Sequence, residues 1–186
     1  GAAPYIATVW DVQHRTHPWL PEVSHGGVWE SREAAISAFL RRATYVITGT
    51  QTGVSELETL YRIPRARMRV LRHPTPAFAL ADDAPSADPA ARFGLRPGYL
   101  LYPAQFWPHK NHVTLLLALA SLKSRHGLAP QLVLVGSDKG NRKHVEHVAA
   151  QLGVHSQLVF TGFVSQDELV ALYRHAGALV YLSMSG

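Results

Sequence analysis

The sequence predicts an α/β chain in two parallel-sheet halves, both incomplete. Short runs rich in β-branched and aromatic residues alternate with segments of three-and-four apolar spacing. Gln131-Leu-Val-Leu-Val135 is apolar almost throughout, as a strand covered on both faces of a parallel sheet should be. The alternation breaks once, where Pro76, Pro85 and Pro89 stand with Asp82, Asp83 and Asp88 among small residues. That break divides the chain into residues 1–75, a linker over 76–97 and residues 98–186.

In chain order, Tyr5 to Trp10 reads as a buried strand with Asp11 at its end. The following loop, Val12 to Val28, carries Pro18 and Pro21 and is expected to lack regular structure. A helix over Trp29 to Arg42 should turn Ala34, Ala35, Ala38 and Phe39 inward, with two arginines closing its last turn. The strand Thr44 to Thr48 leads through a turn into a helix from Gly53 to Tyr61, and Met68 to Leu71 is a short strand stopped by His73-Pro74. One turn of helix is expected near Asp88. Past the linker, Tyr99 to Tyr102 is a strand that enters a compact loop, and Asn111 is placed to cap a helix over Val113 to Arg125. That helix is apolar nearly all round and should be covered on more than one side. Then come strand Gln131 to Val135, turn Gly136 to Gly140, helix Asn141 to Leu152 with Gly153 as its stop, and strand Leu158 to Thr161. Ser165-Gln-Asp-Glu168 is a capping box opening a helix to His175, and Ala178 to Leu182 is a last strand. Three strands before the break, and a final strand with no closing helix, read as the middle of a larger two-domain protein.

Composition narrows the function. The 186 residues are 47% hydrophobic and carry a formal charge of +5. With no cysteine there is neither a disulfide nor a thiolate metal site, a pattern that fits a reducing compartment. No apolar run reaches the roughly 20 residues of a membrane span, and no signal-peptide pattern opens the chain. The eleven histidines are scattered; His14/His17 and His144/His147 are three apart without carboxylate support, so no metal site is expected. The one basic cluster, Arg62, Arg65, Arg67, Arg69 and Arg72, has no accompanying nucleic-acid motif. It reads as a solvated edge or a contact with an anionic membrane surface, not as a nucleic-acid site. Gly-x-Gly-x-x-Gly, the P-loop and the Gly-x-Ser-x-Gly elbow are all missing.

What remains is a set of strand-end loops. Lys110 directly precedes a long helix, where the helix dipole disfavours a cation unless an anion is shared with the free amides. Gln105/Lys110, Ser137/Lys139 and Gly162-Phe163-Val164 follow three consecutive strands and so fall on one sheet edge, the edge at which α/β proteins bind ligands. Lysine, helix amides and glycine backbone suit a nucleotide diphosphate. Four positions stay open. Lys110 is a phosphate contact or a solvated lysine, and the Gly136–Gly140 loop is a tight turn or a phosphate cradle. Gly162-Phe163-Val164 is backbone facing a ligand or a strand exit needing positive φ, and Asp11 is a catalytic carboxylate or a cap for its own loop.

Tyr102-Pro-Ala-Gln-Phe-Trp-Pro-His-Lys-Asn111, Leu132-Val-Leu-Val-Gly136 and Val159-Phe-Thr-Gly-Phe-Val164, followed by Glu168-Leu169 and Leu172-Tyr173, resemble the carboxyl-terminal domain of GT-B glycosyltransferases of group 1, or GT4. Asp11, Arg42-Ala43 and Ile47-Thr48 are similar to the amino-terminal domain of those enzymes. The resemblance implies two Rossmann-like parallel-sheet domains of GT-B type. It implies retaining transfer of a sugar from a nucleotide-sugar donor to a glycan or lipid-linked acceptor, in bacterial surface polysaccharide synthesis. No metal and no cofactor are implied, the nucleotide sugar being a substrate. The expected location is cytoplasmic, with peripheral contact at the inner face of the membrane. Lys110 falls on the lysine that binds the donor diphosphate, with Gln105 and Asn111 beside it. Gly162, Phe163 and Val164 fall on the strand end that faces the nucleoside, and Asp11 on the catalytic side of the first domain. Two departures stand out: Ala104-Gln105 occupies the place of a common Gly-Arg pair, and Trp10-Asp11 that of a common His-Asp. The family's paired-glutamate motif would lie past Gly186, so this stretch alone is not expected to turn over. Alternatives from other classes are a non-catalytic nucleotide- or polyanion-binding module and a GT-B sugar-nucleotide epimerase.

Overall fold

The two stretches of alternating pattern fold as two units, residues 1–75 and residues 76–185. A computed structural model describes residues 3–80 and 88–185. Much of the proline-rich break, including Asp82, Asp83 and Pro85, lies outside the described residues.

In the first unit, strands β1 (Ile6–Thr8), β2 (Tyr45–Thr48) and β3 (Met68–Val70) form a parallel sheet in the order β1-β2-β3. The segment between β1 and β2 is more regular than its prolines suggest. It forms α1 (Gln13–Thr16), α2 (Pro21–Ser24) and a 3-10 turn before α3 (Val28–Arg42). Pro21 stands at the first turn of α2, where its missing N–H would have had no partner anyway, so it starts a helix instead of preventing one. Helix α3 also turns differently from expectation. Ala34, Ala35, Ala38 and Phe39 are exposed, while Leu40 is buried and Glu33, Ile36 and Ser37 are half-buried. The inward face is set by polar contacts of Glu33 that apolar spacing cannot reveal. Helix α4 (Gln51–Tyr61) starts two residues early because Thr50 caps it, its Oγ1 accepting from the Gly53 amide at 3.0 Å. The core gathers Ala7, Val46, Leu40, Val54, Leu57 and Met68.

In the second unit, α5 (Ala77–Leu80) and α6 (Ala90–Phe93) precede a four-stranded parallel sheet. Its strands are β4 (Leu100–Pro103), β5 (Leu132–Val135), β6 (Leu158–Gly162) and β7 (Ala178–Leu179), in the order β6-β5-β4-β7. Helices α7 (His112–His126), α8 (Arg142–Gln151) and α9 (Gln166–His175) make the crossovers. Alternation along the strands serves two cores. Tyr102, Leu132 and Leu134 pack with Leu115, Leu116, Leu119, Val145 and Ala149 of α7 and α8. Leu101, Val133 and Val135 pack on the other face with Leu172 of α9 and with Leu95 and Val164. Helix α7 is covered on one side only: Leu115, Leu116 and Leu119 are buried, but Leu117 is 51% exposed. The capping box on α9 forms as expected, Ser165 and Glu168 each accepting the other's backbone amide.

Strand order places the ligand edge. The chain steps from β4 to β5 to β6 in one direction, then returns to lay β7 on the opposite side of β4. The reversal makes the gap between the carboxyl ends of β4 and β7 a topological switch point.

Candidate functional site

The three loops leaving β4, β5 and β6 are tied together by backbone. A Cβ on Gly136 would stand 2.5 Å from the Ala104 carbonyl oxygen and 2.8 Å from the Gln105 nitrogen, at a φ of +149°. Only glycine lets the β5 exit come so close to the β4 exit. The Gly136 amide donates to the Gly162 carbonyl at 2.9 Å, and the Phe106 amide to the Ser137 carbonyl at 3.1 Å. The edge is therefore a fixed frame.

Lys110 ends a 3-10 turn, Pro108–Lys110, directly before α7. Asn111 follows in the left-handed region, φ +56°, a conformation asparagine tolerates better than most residues. It does not cap as its position suggested: its Oδ1 accepts from the Thr114 hydroxyl at 2.7 Å and takes no first-turn amide. The left-handed backbone aims the side chain along the helix, so the amides opening α7 are left without a capping side chain. The Lys110 ammonium reaches across the switch point to the loop after β7. It lies 3.3 Å from the Ser183 hydroxyl and 5.9 Å from the centre of the Tyr181 ring. The Tyr102 hydroxyl donates to the Lys110 carbonyl at 2.5 Å, and the Met184 amide to the His109 carbonyl at 2.8 Å. Cation, helix start and two hydroxyl-bearing neighbours thus meet at one point.

Beneath it is a residue that sequence reasoning passed over. His112, the first residue of α7, is 1% exposed, and among the described residues neither ring nitrogen has a well-formed hydrogen bond. Its ring stacks on Phe106 at 4.6 Å and meets Tyr102 at 5.0 Å. Burial among these rings, reinforced by the Lys110 charge, pushes its pKa down to about 4, with the Ala104 backbone acting in the other direction. Ser183 was missed as well, because the return of β7 to β4 is a property of topology.

The other predicted residues are distributed unequally. Gln105 is exposed at the same edge, where its Oε1 accepts from the Trp107 indole N–H at 2.9 Å. The Gly136–Gly140 loop is an aspartate-capped turn: Asp138 Oδ1 accepts the amides of Gly140 at 2.8 Å and Arg142 at 3.2 Å, and these bonds lower the pKa of its carboxyl. Those amides are not free for phosphate. Lys139 points its ammonium over the Trp107 ring, 5.7 Å from the centre. Gly162 has a φ of +71°, Phe163 is 88% exposed, and Val164 is buried in the core beside Leu172. The outward ring at this strand end belongs to Phe163 alone.

In the first unit, Asp11 Oδ1 accepts the Gln13 amide at 2.9 Å and an Arg32 N–H at 2.6 Å, while half the side chain remains exposed. It caps its loop and lines an open depression of about 380 Å³ with Trp10 and Arg32. A denser, half-buried polar group lies in the same unit. Glu33 accepts from Arg15, Ser37 and Tyr61 and meets His14 Nε2 at 3.1 Å. Arg15, the strongest of these contacts, holds the Glu33 carboxyl well below the usual carboxylate range, and burial lowers the His14 pKa. The basic segment is also engaged. Arg65 pairs with Glu58, Arg67 donates to the carbonyls of Leu40 and Ala43 at the end of α3, and Arg69 lies over the Tyr45 ring. Among the described residues no three His, Asp or Glu side chains come together, and no helix is long and apolar enough to cross a membrane.

Comparison with known proteins agrees with this frame. A family model described as "Glycosyl transferases group 1" matches residues 86–186. The uncharacterized glycosyltransferase MJ1607 of Methanocaldococcus jannaschii is 27% identical over 169 residues, 86% of this chain and 42% of that protein. Among solved structures, sucrose-phosphate synthase from Thermosynechococcus elongatus superposes with a TM-score of 0.74 at 21% identity, over 99% of this chain and 45% of its own. WaaG, described as a glycosyltransferase of lipopolysaccharide biosynthesis, gives 0.69 at 20% identity, over 98% and 50%. HepE from Anabaena, in complex with UDP-glucose, gives 0.69 at 16% identity, over 97% and 47%. The chain thus spans about half the length of the relatives it matches. Since the family model covers more than half of its residues, the chain belongs to the group 1 glycosyltransferases.

Proposed function

We propose that the chain is part of a retaining glycosyltransferase that moves a sugar from a nucleotide-sugar donor to a glycan or lipid-linked acceptor. Its setting is bacterial surface polysaccharide synthesis in the cytoplasm, with peripheral contact at the inner face of the membrane. The observation that carries the donor assignment is the position of Lys110. Its ammonium stands at the switch point, beside uncapped α7 amides and the Ser183 hydroxyl. A diphosphate placed there meets a side-chain cation and a helix N-terminus together. HepE, solved with UDP-glucose, supports the donor class.

In this proposal the leaving nucleoside diphosphate gains negative charge as the glycosidic bond breaks. Lys110 and the α7 amides stabilise that charge, without a metal or cofactor. Gln105 and Asn111 border the diphosphate, the backbone of Gly162 and the outward ring of Phe163 face the nucleoside, and Val164 anchors their loop in the core. Asp11, its carboxylate held in place by Arg32, is the first unit's candidate catalytic carboxylate. Calorimetry on the full-length protein with UDP, GDP and ADP tests the donor site. Lys110→Ala should weaken the preferred nucleotide at least about tenfold, or ~1.4 kcal/mol; unchanged affinity would sink the proposal.

A further inference from the structure

His112 has the packing of an apolar residue and the chemistry of a polar one. Both covering groups are aromatic rings, Phe106 at 4.6 Å and Tyr102 at 5.0 Å, and both of its ring nitrogens lack a partner. Unpaired buried polar atoms are destabilising, and an apolar side chain of similar volume would avoid the cost. Packing alone therefore does not account for an imidazole here. Its surroundings do. Phe106 belongs to the loop that carries Gln105, and that loop is pinned against Gly136 through Ala104. Tyr102 donates to the carbonyl of Lys110 at 2.5 Å. The Ala104 backbone is the one polar group whose influence favours a proton on the ring, and Lys110 is the cation that opposes it. The imidazole thus touches both supports of the candidate anion site without touching the site itself.

We propose that His112 is a positioning residue of the anion site. Its neutral ring, clamped between Phe106 and Tyr102, turns on the fixed frame to tighten an N–H onto the Ala104 carbonyl when an anion occupies the site, and so fixes Lys110 in register. This inference rests on the donor site proposed above. Stability that is forgone in the free protein is recovered on binding, the pattern expected of strain held at a functional site.

The test compares His112→Leu, close to histidine in volume, with His112→Gln, which keeps an N–H donor, in the full-length protein with UDP, GDP and ADP as probes. His112→Leu should raise the melting temperature by about 2 °C, the shift of roughly 1 kcal/mol in a chain of this size or larger. It should also weaken nucleotide binding about fivefold, and His112→Gln should restore most of that loss. An unchanged affinity in His112→Leu, a melting temperature that falls together with affinity, or a glutamine variant no better than leucine would each overturn the proposal. The donor site itself is checked separately by Lys110→Ala. If that variant binds as well as the wild type, the donor reading fails and this inference with it. If Lys110→Ala loses binding and His112→Leu does not, only the role of His112 is refuted.

Discussion

In the first unit, charged groups find partners within the unit. Asp11 is shared by Arg32 and the Gln13 amide, Thr50 closes α4, and Glu33 collects Arg15, Ser37, Tyr61 and His14. The second sheet leaves polar groups open at the corresponding edge. Among the described residues, the α7 amides lack a capping side chain, the His112 ring nitrogens lack hydrogen-bond partners, and the Lys110 ammonium has a 3.3 Å contact to Ser183 and a distant aromatic ring. Both arrangements arise in the same kind of parallel sheet. A network whose charged members are paired rigidifies its own unit, even with His14 Nδ1 left over, whereas a lysine and helix amides without charged partners on a rigid frame are what a ligand can use.

The frame itself is the first place to break this contrast. Gly136→Ala forces a Cβ to 2.5 Å from a backbone oxygen at a φ of +149°. We expect a loss of about 3 kcal/mol or more, since the obstructing atoms are backbone and cannot swing aside. In the first unit, Gly49→Ala brings a Cβ to 3.4 Å from the Trp10 ring, ordinary contact distance, so the change should stay within about 0.5 kcal/mol. Urea unfolding of the two variants would show whether the second edge is interlocked and the first is not.

Acidification separates the units by a different route. The folded pKa of His112 is lowered to about 4 from an unfolded value of 6.5. The unfolded chain therefore binds more protons between those values, and stability falls as pH drops from 6.5 toward 4. The difference corresponds to about 3 kcal/mol, carried by the second unit. Burial also lowers His14 and gives a loss of the same sign in the first unit, while the Glu33 contribution persists until pH falls below the ordinary carboxylate range. Hydrogen exchange read separately on β2 and β5 from pH 7 to pH 4 should show protection falling on β5, and His112→Leu should remove most of that fall. A β5 slope unaffected by the substitution would assign the acid sensitivity elsewhere.

Some of this contrast was legible in the sequence and some could not be. Strand–helix alternation located the long helices and most strands within a residue or two. The last strand, however, stops at Leu179 instead of Leu182, and the short helices Gln13–Thr16, Pro21–Ser24 and Ala77–Leu80 were not foreseen. Ser165 with Glu168 announced a helix start because that device is local. Lys110 was found by local chemistry too, a cation placed against a helix dipole. The face of α3 was misjudged because three-and-four spacing counts apolar residues, and here a carboxylate with four partners sets the rotation. Pro21 read as a breaker although the first turn of a helix accepts proline. Asn111 read as a cap because its identity fits one; its left-handed φ is a tertiary outcome. The pairing of Lys110 with Ser183 depends on β7 returning to β4, and nothing local in the sequence singled out His112, whose burial comes from Phe106 and Tyr102 closing over it.

The smallest expected effect probes the contrast most directly, by adding charge to each edge. Gln105 is exposed and its amide is committed only to the Trp107 indole, a neutral surface bond whose loss costs about 0.5 kcal/mol. Gln105→Arg would place a second cation beside Lys110, on a loop already pinned by Gly136. A guanidinium and a diphosphate in a partly exposed setting gain about 1 kcal/mol at moderate ionic strength. The lost indole bond lowers the stability of the free and bound protein alike, so the result should be about a fivefold tightening of nucleotide binding by calorimetry. The gain should shrink as salt is raised, since the added charge is screened by solvent ions. Gln51→Arg adds the same charge at an exposed position in the first turn of α4 and serves as the matched control, with no change in affinity expected. Equal tightening in both variants would mean that net charge alone attracts the nucleotide. No tightening in either would mean that the loop bearing Gln105 lies out of reach of the anion, leaving Lys110 as its one side-chain cation.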